Sequence, residues 1–246
     1  MGAESLPESP AALADMLPET LQGWRAEGLR VAWLLVPVSR TELINVAVAA
    51  GFRFHHCADG GLMLTMRLAS GAYVPAYATH TIGVGAIVIS AGREILTVVE
   101  RGDLDARPDY FKLPGGMLER GEHIAAGAVR ETLEETGVRT EFLDLVSLRH
   151  HHRGQFGTSN VYAVCRLKPL THEITMDETE IGRALWLPVE EYLAHPGVGP
   201  YNRRVVSAAL GGQGLNSTTI DRYMDSADDY EAFLPREPGR SSTGPG

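Results

Sequence analysis

The chain has 246 residues, 44% of them hydrophobic, with Lys+Arg 22 against Asp+Glu 31 and a net charge of -9. That length suits one sizeable domain or two modest ones, and an acidic balance with no Lys/Arg run repels phosphate backbones, which excludes a nucleic-acid partner. Cys57 and Cys165 are the only cysteines, so a disulfide framework and a four-cysteine zinc site are excluded as well.

The start, "MGAESLPESP", has no basic n-region and no apolar stretch, and Leu6 stands where a myristoylation signal needs Ser or Thr. The longest apolar run, "VAWLLVPV" at 31–38, is far short of the roughly 20 residues that span a bilayer. The expectation is a reducing cytoplasm and no membrane partner. Leu13, Leu17, Leu21 and Trp24 recur at helical intervals and predict an amphipathic helix ended by Gly28. "LRVAWLLVP" reads as a strand, "SRTELINVAVAAG" as a helix capped by Ser39, and "FRFHHC" and "LMLTMRL" as strands about the turn "ADGG". The Gly/Ala/Pro punctuation of 69–81 marks a junction, giving a small α/β domain over 1–78 and a second domain over 79–234. In the second, "IGVGAIVIS" and "EILTVVER" read as paired strands about "AGR", and "YFKLP" as a short strand running into Gly115 and Gly116. Strands over 139–150, 159–169 and 183–188 and short helices over 189–196 and 201–212 follow. The tail, 235–246, has no core former and is expected to be disordered.

The segment "GGMLERGEHIAAGAVRETLEETGV", 115–138, sets Glu131, Glu134 and Glu135 within five positions, although like charges three and four apart on a helix repel. A helix over 123–136 puts Ala125, Val129 and Leu133 on one face, predicted to pack on the sheet, and Gly127 and the three glutamates opposite, with Gly137 as the stop. Two glycines after a strand let the chain turn sharply and bring a backbone carbonyl toward the carboxylates. Carboxylates plus a carbonyl are hard oxygen donors suited to Mg²⁺ or Mn²⁺. The repulsion, a few tenths of a kcal/mol per pair, is more than offset by a divalent ion.

Gly116, five residues, Glu122, seven residues, then Arg130-Glu131-Thr132-Leu133-Glu134-Glu135-Thr136-Gly137-Val138 closely resembles the Nudix box. Thr132 is the one departure, standing where that family usually has an aliphatic residue. The resemblance implies an α/β/α sandwich with a mixed sheet, and Mg²⁺- or Mn²⁺-dependent hydrolysis of a nucleoside diphosphate joined to another group. It implies metal ligation by Glu131, Glu134, Glu135 and the Gly116 carbonyl, with one of the glutamates as general base. Arg130 and Glu122 are then expected to support the site rather than touch substrate. Such enzymes often recruit a further acid from outside the box; among Asp177, Glu178 and Glu180, the last is favoured because it precedes the Trp186 strand. Arg149, Phe156 or a histidine of 150–152 is expected to meet the nucleotide, but three adjacent residues on a strand alternate faces and cannot converge on a metal.

The stretch from Trp24-Arg25 through "AAGFRFHH" to "YATHTIGVGAIV", with "FGTSNVYAVCRLKPL", resembles a Nudix branch with an extra N-terminal domain. That branch includes plant ADP-ribose/NADH pyrophosphohydrolases and the animal Nudix protein encoded antisense to a fibroblast growth factor. The extra domain is similar to part of an acetyltransferase fold, but Arg30 occupies the small-residue position of its pyrophosphate loop, which argues against acyl transfer. The substrate implied is ADP-ribose or NADH, giving AMP and a phosphorylated product. The alternatives are another nucleotide, such as a sugar nucleotide or coenzyme A derivative, or a catalytically weak nucleotide- or protein-binding sensor. A unit of under 80 residues buries a modest core and is expected to pack on something, either the Nudix domain or a second copy of the chain, with a two-fold homodimer favoured as the commonest assembly.

Overall fold

The computed structural model describes residues 6–58 and 60–236. The expected disordered tail lies, from residue 237 on, outside the described residues. The chain divides into two compact units, Met1–Thr79 and His80–Gly246.

In the first unit, α1 (Pro10–Ala26) starts with Pro10 at a position needing no amide donor, and the Ser9 hydroxyl accepts the Ala12 amide at 3.2 Å. Leu13, Leu17 and Leu21 are buried on one stripe. β1 (Val31–Pro37) alternates, with Ala32, Leu34 and Val36 buried. A 3-10 turn over Val38–Leu43 leads into α2 (Ile44–Ala49). Ser39 lies inside that turn and caps nothing, because Pro37 starts the turn and its side chain offers no acceptor. β2 (Arg53–Ala58) and β3 (Gly61–Arg67) complete an antiparallel sheet in the order β1-β3-β2. The leucine stripe of α1 joins Leu34, Val36, Leu43, Ala47, Phe52 and Leu64 in one core.

In the second unit, β4 (His80–Val88) and β5 (Glu94–Glu100) precede α3 (Ile124–Thr136), followed by β6 (Thr140–His151), β7 (Ser159–Pro169) and β8 (Ile181–Pro188). Two short helices, α4 (Val189–Ala194) and α5 (Pro200–Gly211), and a hairpin of β9 (Asn216–Thr218) and β10 (Ala232–Leu234) end it. The sheet β4-β7-β6 is mixed: β4 runs parallel to β7, and β7 antiparallel to β6. The expected β4–β5 hairpin is not formed. A single rung, Ile89 to Ile95, joins the two strands before they part, and β5 pairs along its length with β8. "YFKLP" likewise makes one bridge, Lys112 to Val98, rather than a strand.

Alternate residues of β4 face opposite layers, as the strand period requires. Val84, Ala86 and Val88 pack with Ala128 of α3, whereas Ile87 packs with Tyr192 of α4 and Val205, Val206 and Ala209 of α5. The unit is therefore an α/β/α sandwich. Among the described residues no helix is long and apolar enough to cross a membrane.

Candidate active site

The fully buried row of α3 is Ala128, Thr132 and Thr136, one turn apart each; of the predicted face, Val129 packs on the same core but is only partly buried, and Leu133 is 45% exposed. Small residues at this row bring the helix axis close to β4. The two threonines lose no hydrogen bond by burial, because Thr132 Oγ1 donates to the Ala128 carbonyl at 2.7 Å and Thr136 Oγ1 to that of Thr132 at 2.5 Å. Glu131 and Glu135 each precede a row member by one residue and so stand at the inward edge of the helix. Glu134 points away, with its side chain 58% exposed. Gly137, with φ 69°, ends the helix.

Residues 114–118 run along the free edge of β4: the Ala86 amide donates to the Pro114 carbonyl, Val84 to Gly116, and Leu118 back to Ile82, at 2.8, 2.8 and 3.0 Å. Alternation along this ladder turns the Gly115 amide away from β4, and it donates to Glu135 Oε2 at 2.9 Å. The Gly116 carbonyl, expected among the metal ligands, already uses one lone pair on Val84 and has one left. Glycine at 116 lets the Glu131 carboxylate lie against the loop: a Cβ there would stand 2.5–2.6 Å from all three carboxylate atoms, so that side chain would have to move aside.

Arg130 binds three acids at once. Its Nε and Nη2 hold Glu122 at 2.7 and 2.9 Å, and its Nη1 reaches Glu131 at 3.0 Å and Glu134 at 2.7 Å. Nη2 also donates to the Met117 carbonyl at 3.2 Å, which ties the glycine loop to the helix. The Glu122 carboxyl is held below the usual carboxylate range by Arg130. Burial raises Glu131 despite Arg130, and it pushes Glu135 up to about 8, with the charges of Glu131, Glu100 and Glu180 adding to the rise. Both carboxyls are thus poor isolated anions.

Gly115, Gly116, Met117, Arg130, Glu131 and Glu135 line a cleft of about 650 Å³ that also presents Glu100, Arg101, Glu119, Thr179 and Glu180, whereas Glu122 and Glu134 are not in its lining. Glu180 stands just before β8, held by a 2.8 Å bond from the Arg101 amide to its carbonyl. Asp177 instead turns its carboxylate onto the Thr179 amide and hydroxyl, and neither it nor Glu178 lines the cleft. Arg149 and Phe156 are not in its lining either. The Arg149 guanidinium stacks between the rings of Tyr162 and Tyr201, 4.9 and 4.8 Å away, and Phe156 is 99% exposed. His150 faces His80 across 3.0 Å and lies 4.6 Å from the ring of His152, which bonds Ser159, while His151 accepts the Arg153 amide; among the described residues they form no metal-holding cluster. Glu100, Arg101 and Glu119 were not singled out from the sequence; the signal for the first two is a charged pair closing the otherwise apolar β5.

A divalent ion suits this donor set. Glu131 Oε2 and Glu135 Oε1 carry no hydrogen bond among the described residues, both carboxyls are raised by burial, and a cation would stabilise them as anions. Among the described residues no three His, Cys, Asp or Glu side chains converge as a metal cage, and Arg130 Nη1 engages both Glu131 and Glu134.

Residues 79–209, more than half of the chain, match the family model of the NUDIX domain. The chain belongs to the Nudix family. Residues 2–68 match a second model, described as a Nudix hydrolase domain, so the first unit is also a recurrent part of Nudix proteins. Nudix hydrolase 8 of Arabidopsis thaliana is 39% identical over 78% of this chain and 52% of its own length. Nudix hydrolase 2 of the same plant is 38% identical over 93% of this chain and 79% of its own length. The mouse protein nucleoside diphosphate-linked moiety X motif 6 is 38% identical over 87% and 69%. The chain thus spans about half the length of the first of these Nudix relatives and more than two thirds of the other two. Nudix hydrolases generally need divalent cations, in keeping with the donor set above.

Proposed function

We propose that this chain is a Mg²⁺- or Mn²⁺-dependent pyrophosphohydrolase that cleaves the diphosphate of ADP-ribose or NADH, releasing AMP and a second phosphorylated product. The observation that carries this reading is the pair Glu131 and Glu135, both raised by burial and set against a glycine loop in an open acidic cleft. Substrate choice rests on the resemblance to the branch with an N-terminal domain; the relatives' names speak of a Nudix hydrolase or a nucleoside diphosphate-linked moiety and name no compound.

Glu131, Glu135 and the second lone pair of the Gly116 carbonyl would hold the metal, with Glu134 added when it leaves Arg130. Bound there, a divalent ion neutralises charge on the diphosphate and lowers the pKa of water. The chain's own groups supply geometry and proton transfer. Arg130 fixes Glu131 and the glycine loop relative to each other, and one of Glu131, Glu134, Glu135 and Glu180 takes the proton of the attacking water. As water adds to one phosphorus, the bond from that phosphorus to the bridging oxygen breaks, and the leaving phosphate carries the electron pair. Arg101, whose guanidinium contacts no carboxylate among the described residues, is placed to meet the charge of the substrate.

The reading includes a cytoplasmic setting, consistent with free Cys57 and Cys165, and a homodimer. Sedimentation of the full chain against one lacking residues 1–75 tests the assembly. Incubation with dinucleotides, sugar nucleotides and coenzyme A, followed by chromatography of the products, tests the activity. Metal-dependent formation of AMP from ADP-ribose or NADH is expected; no turnover of any compound would overturn the proposal in favour of a sensor.

A further inference from the structure

The first turn of α3 lacks the partners its amides need. A helix leaves its first four N–H groups without intrahelical acceptors, yet His123, at the N-cap just before α3, makes no side-chain capping bond, and the first turn has no acidic residue. The acceptor comes from 107 residues downstream: Glu231 Oε2 accepts the Ile124 amide at 2.7 Å, and Oε1 accepts that of Ala125 at 3.2 Å. A carboxylate here serves both as cap and as countercharge to the positive end of the helix.

Glu231 does not arrive on a loose end. It adjoins β10, where Phe233 pairs with Ser217 of β9 and its ring meets Phe142 of β6, with 5.9 Å between centroids. Leu215, just before β9, bridges Leu145, and both Leu215 and Phe233 pack on the core shared by α3 and β4. The loop between the two strands is closed by Tyr230, whose hydroxyl accepts the Ile220 amide at 2.7 Å and donates to the Ile220 carbonyl at 3.1 Å. The carboxylate is therefore held in place by the same core that seats the helix.

We propose that Glu231 is a positioning residue for the metal-binding glutamates, supplied by the C-terminal hairpin. Its anchorage fixes the start of α3, and Glu131 and Glu135 lie roughly 10 and 16 Å further along the same rigid helix, at 1.5 Å per residue. The proposal rests on the metal reading of those two carboxylates.

The test uses the full chain as wild type, Glu231→Ala and Glu231→Gln, with amide hydrogen exchange at 124–127 and Mn²⁺ binding followed by electron paramagnetic resonance. Glu231→Ala is expected to speed exchange at Ile124 and Ala125 about fivefold or more, the measure of a lost cap, and to weaken Mn²⁺ at least about threefold, as loss of a ligand's support does. Glu231→Gln, which keeps an acceptor of the same shape, should fall between and so report on the role even where the alanine variant folds poorly. Wild-type exchange in both variants would overturn the cap, and faster exchange with unchanged Mn²⁺ affinity would overturn positioning. A wild-type chain that binds no Mn²⁺ would overturn the metal reading and positioning together, while the exchange data would still judge the cap separately.

Discussion

Glu135 accepts the amide of Gly115 at 2.9 Å across 20 residues of sequence, joining the helix that bears the acids to the loop that faces them. The carboxyl sits in surroundings that favour its neutral form, so replacement by the neutral isostere should not harm the fold. Glu135→Gln is expected to keep or raise the melting temperature in EDTA while turnover falls by about a hundredfold or more, the scale of lost proton transfer or ligation. A large loss of stability would show that the charge is structural.

Glu180 lines the same cleft as Glu131 and Glu135 and is exposed. Glu180→Gln should change stability by less than about 0.5 kcal/mol, the usual range for a surface site, while kcat falls at least about tenfold. Urea melts and initial rates check the two halves. Wild-type rates would remove Glu180 from the chemistry.

Gly116→Ala tests the close approach of the loop to Glu131. The added Cβ would overlap the carboxylate, so either the loop or Glu131 must shift. Because the clash is with the movable end of the Glu131 side chain, a stability loss of no more than about 1 kcal/mol is expected, together with weaker Mn²⁺ binding as the carboxylate is displaced. Unchanged metal affinity would show that the contact is slack.

Glu122 contributes a pH dependence of stability from outside the proposed metal ligands. Its carboxyl is lowered on folding by Arg130, so its contribution is present above the unfolded carboxylate range, near 4.3, and is lost as pH falls through the lower folded value. Glu122→Gln should therefore cost about 1–3 kcal/mol at pH 7, and the gap from wild type should narrow as pH falls below about 4. Urea unfolding at pH 7 and pH 3 measures it; a gap that stayed constant would exclude the ion pair as the cause.

What was legible in the sequence was local. Leu13, Leu17 and Leu21 announced their buried stripe by spacing, and Gly137 its helix stop. The buried face of α3 was misjudged because hydrophobicity pointed to Leu133, whereas close approach to β4 selects small residues, and a helical threonine can bury its hydroxyl on the carbonyl one turn back. The β4–β5 pairing was inferred from a turn signal, but partner choice among strands is decided by contacts remote in sequence: β4 takes β7 and β5 takes β8. The same distance hid Glu231, whose partners lie more than a hundred residues upstream. Chemistry spread along one helix could be read from its spacing; chemistry assembled from Glu100, Arg101 and Glu119 could not.

The central claim is that Glu131 and Glu135 form a metal-dependent hydrolytic centre. The direct measurement is the rate of AMP release from ADP-ribose or NADH across a Mg²⁺ titration, for wild type and for Glu135→Gln shown to be folded. The account predicts no release in EDTA, saturable release with Mg²⁺, and a variant slower by about a hundredfold or more. Equal release with and without Mg²⁺, or a variant as fast as wild type, would contradict it.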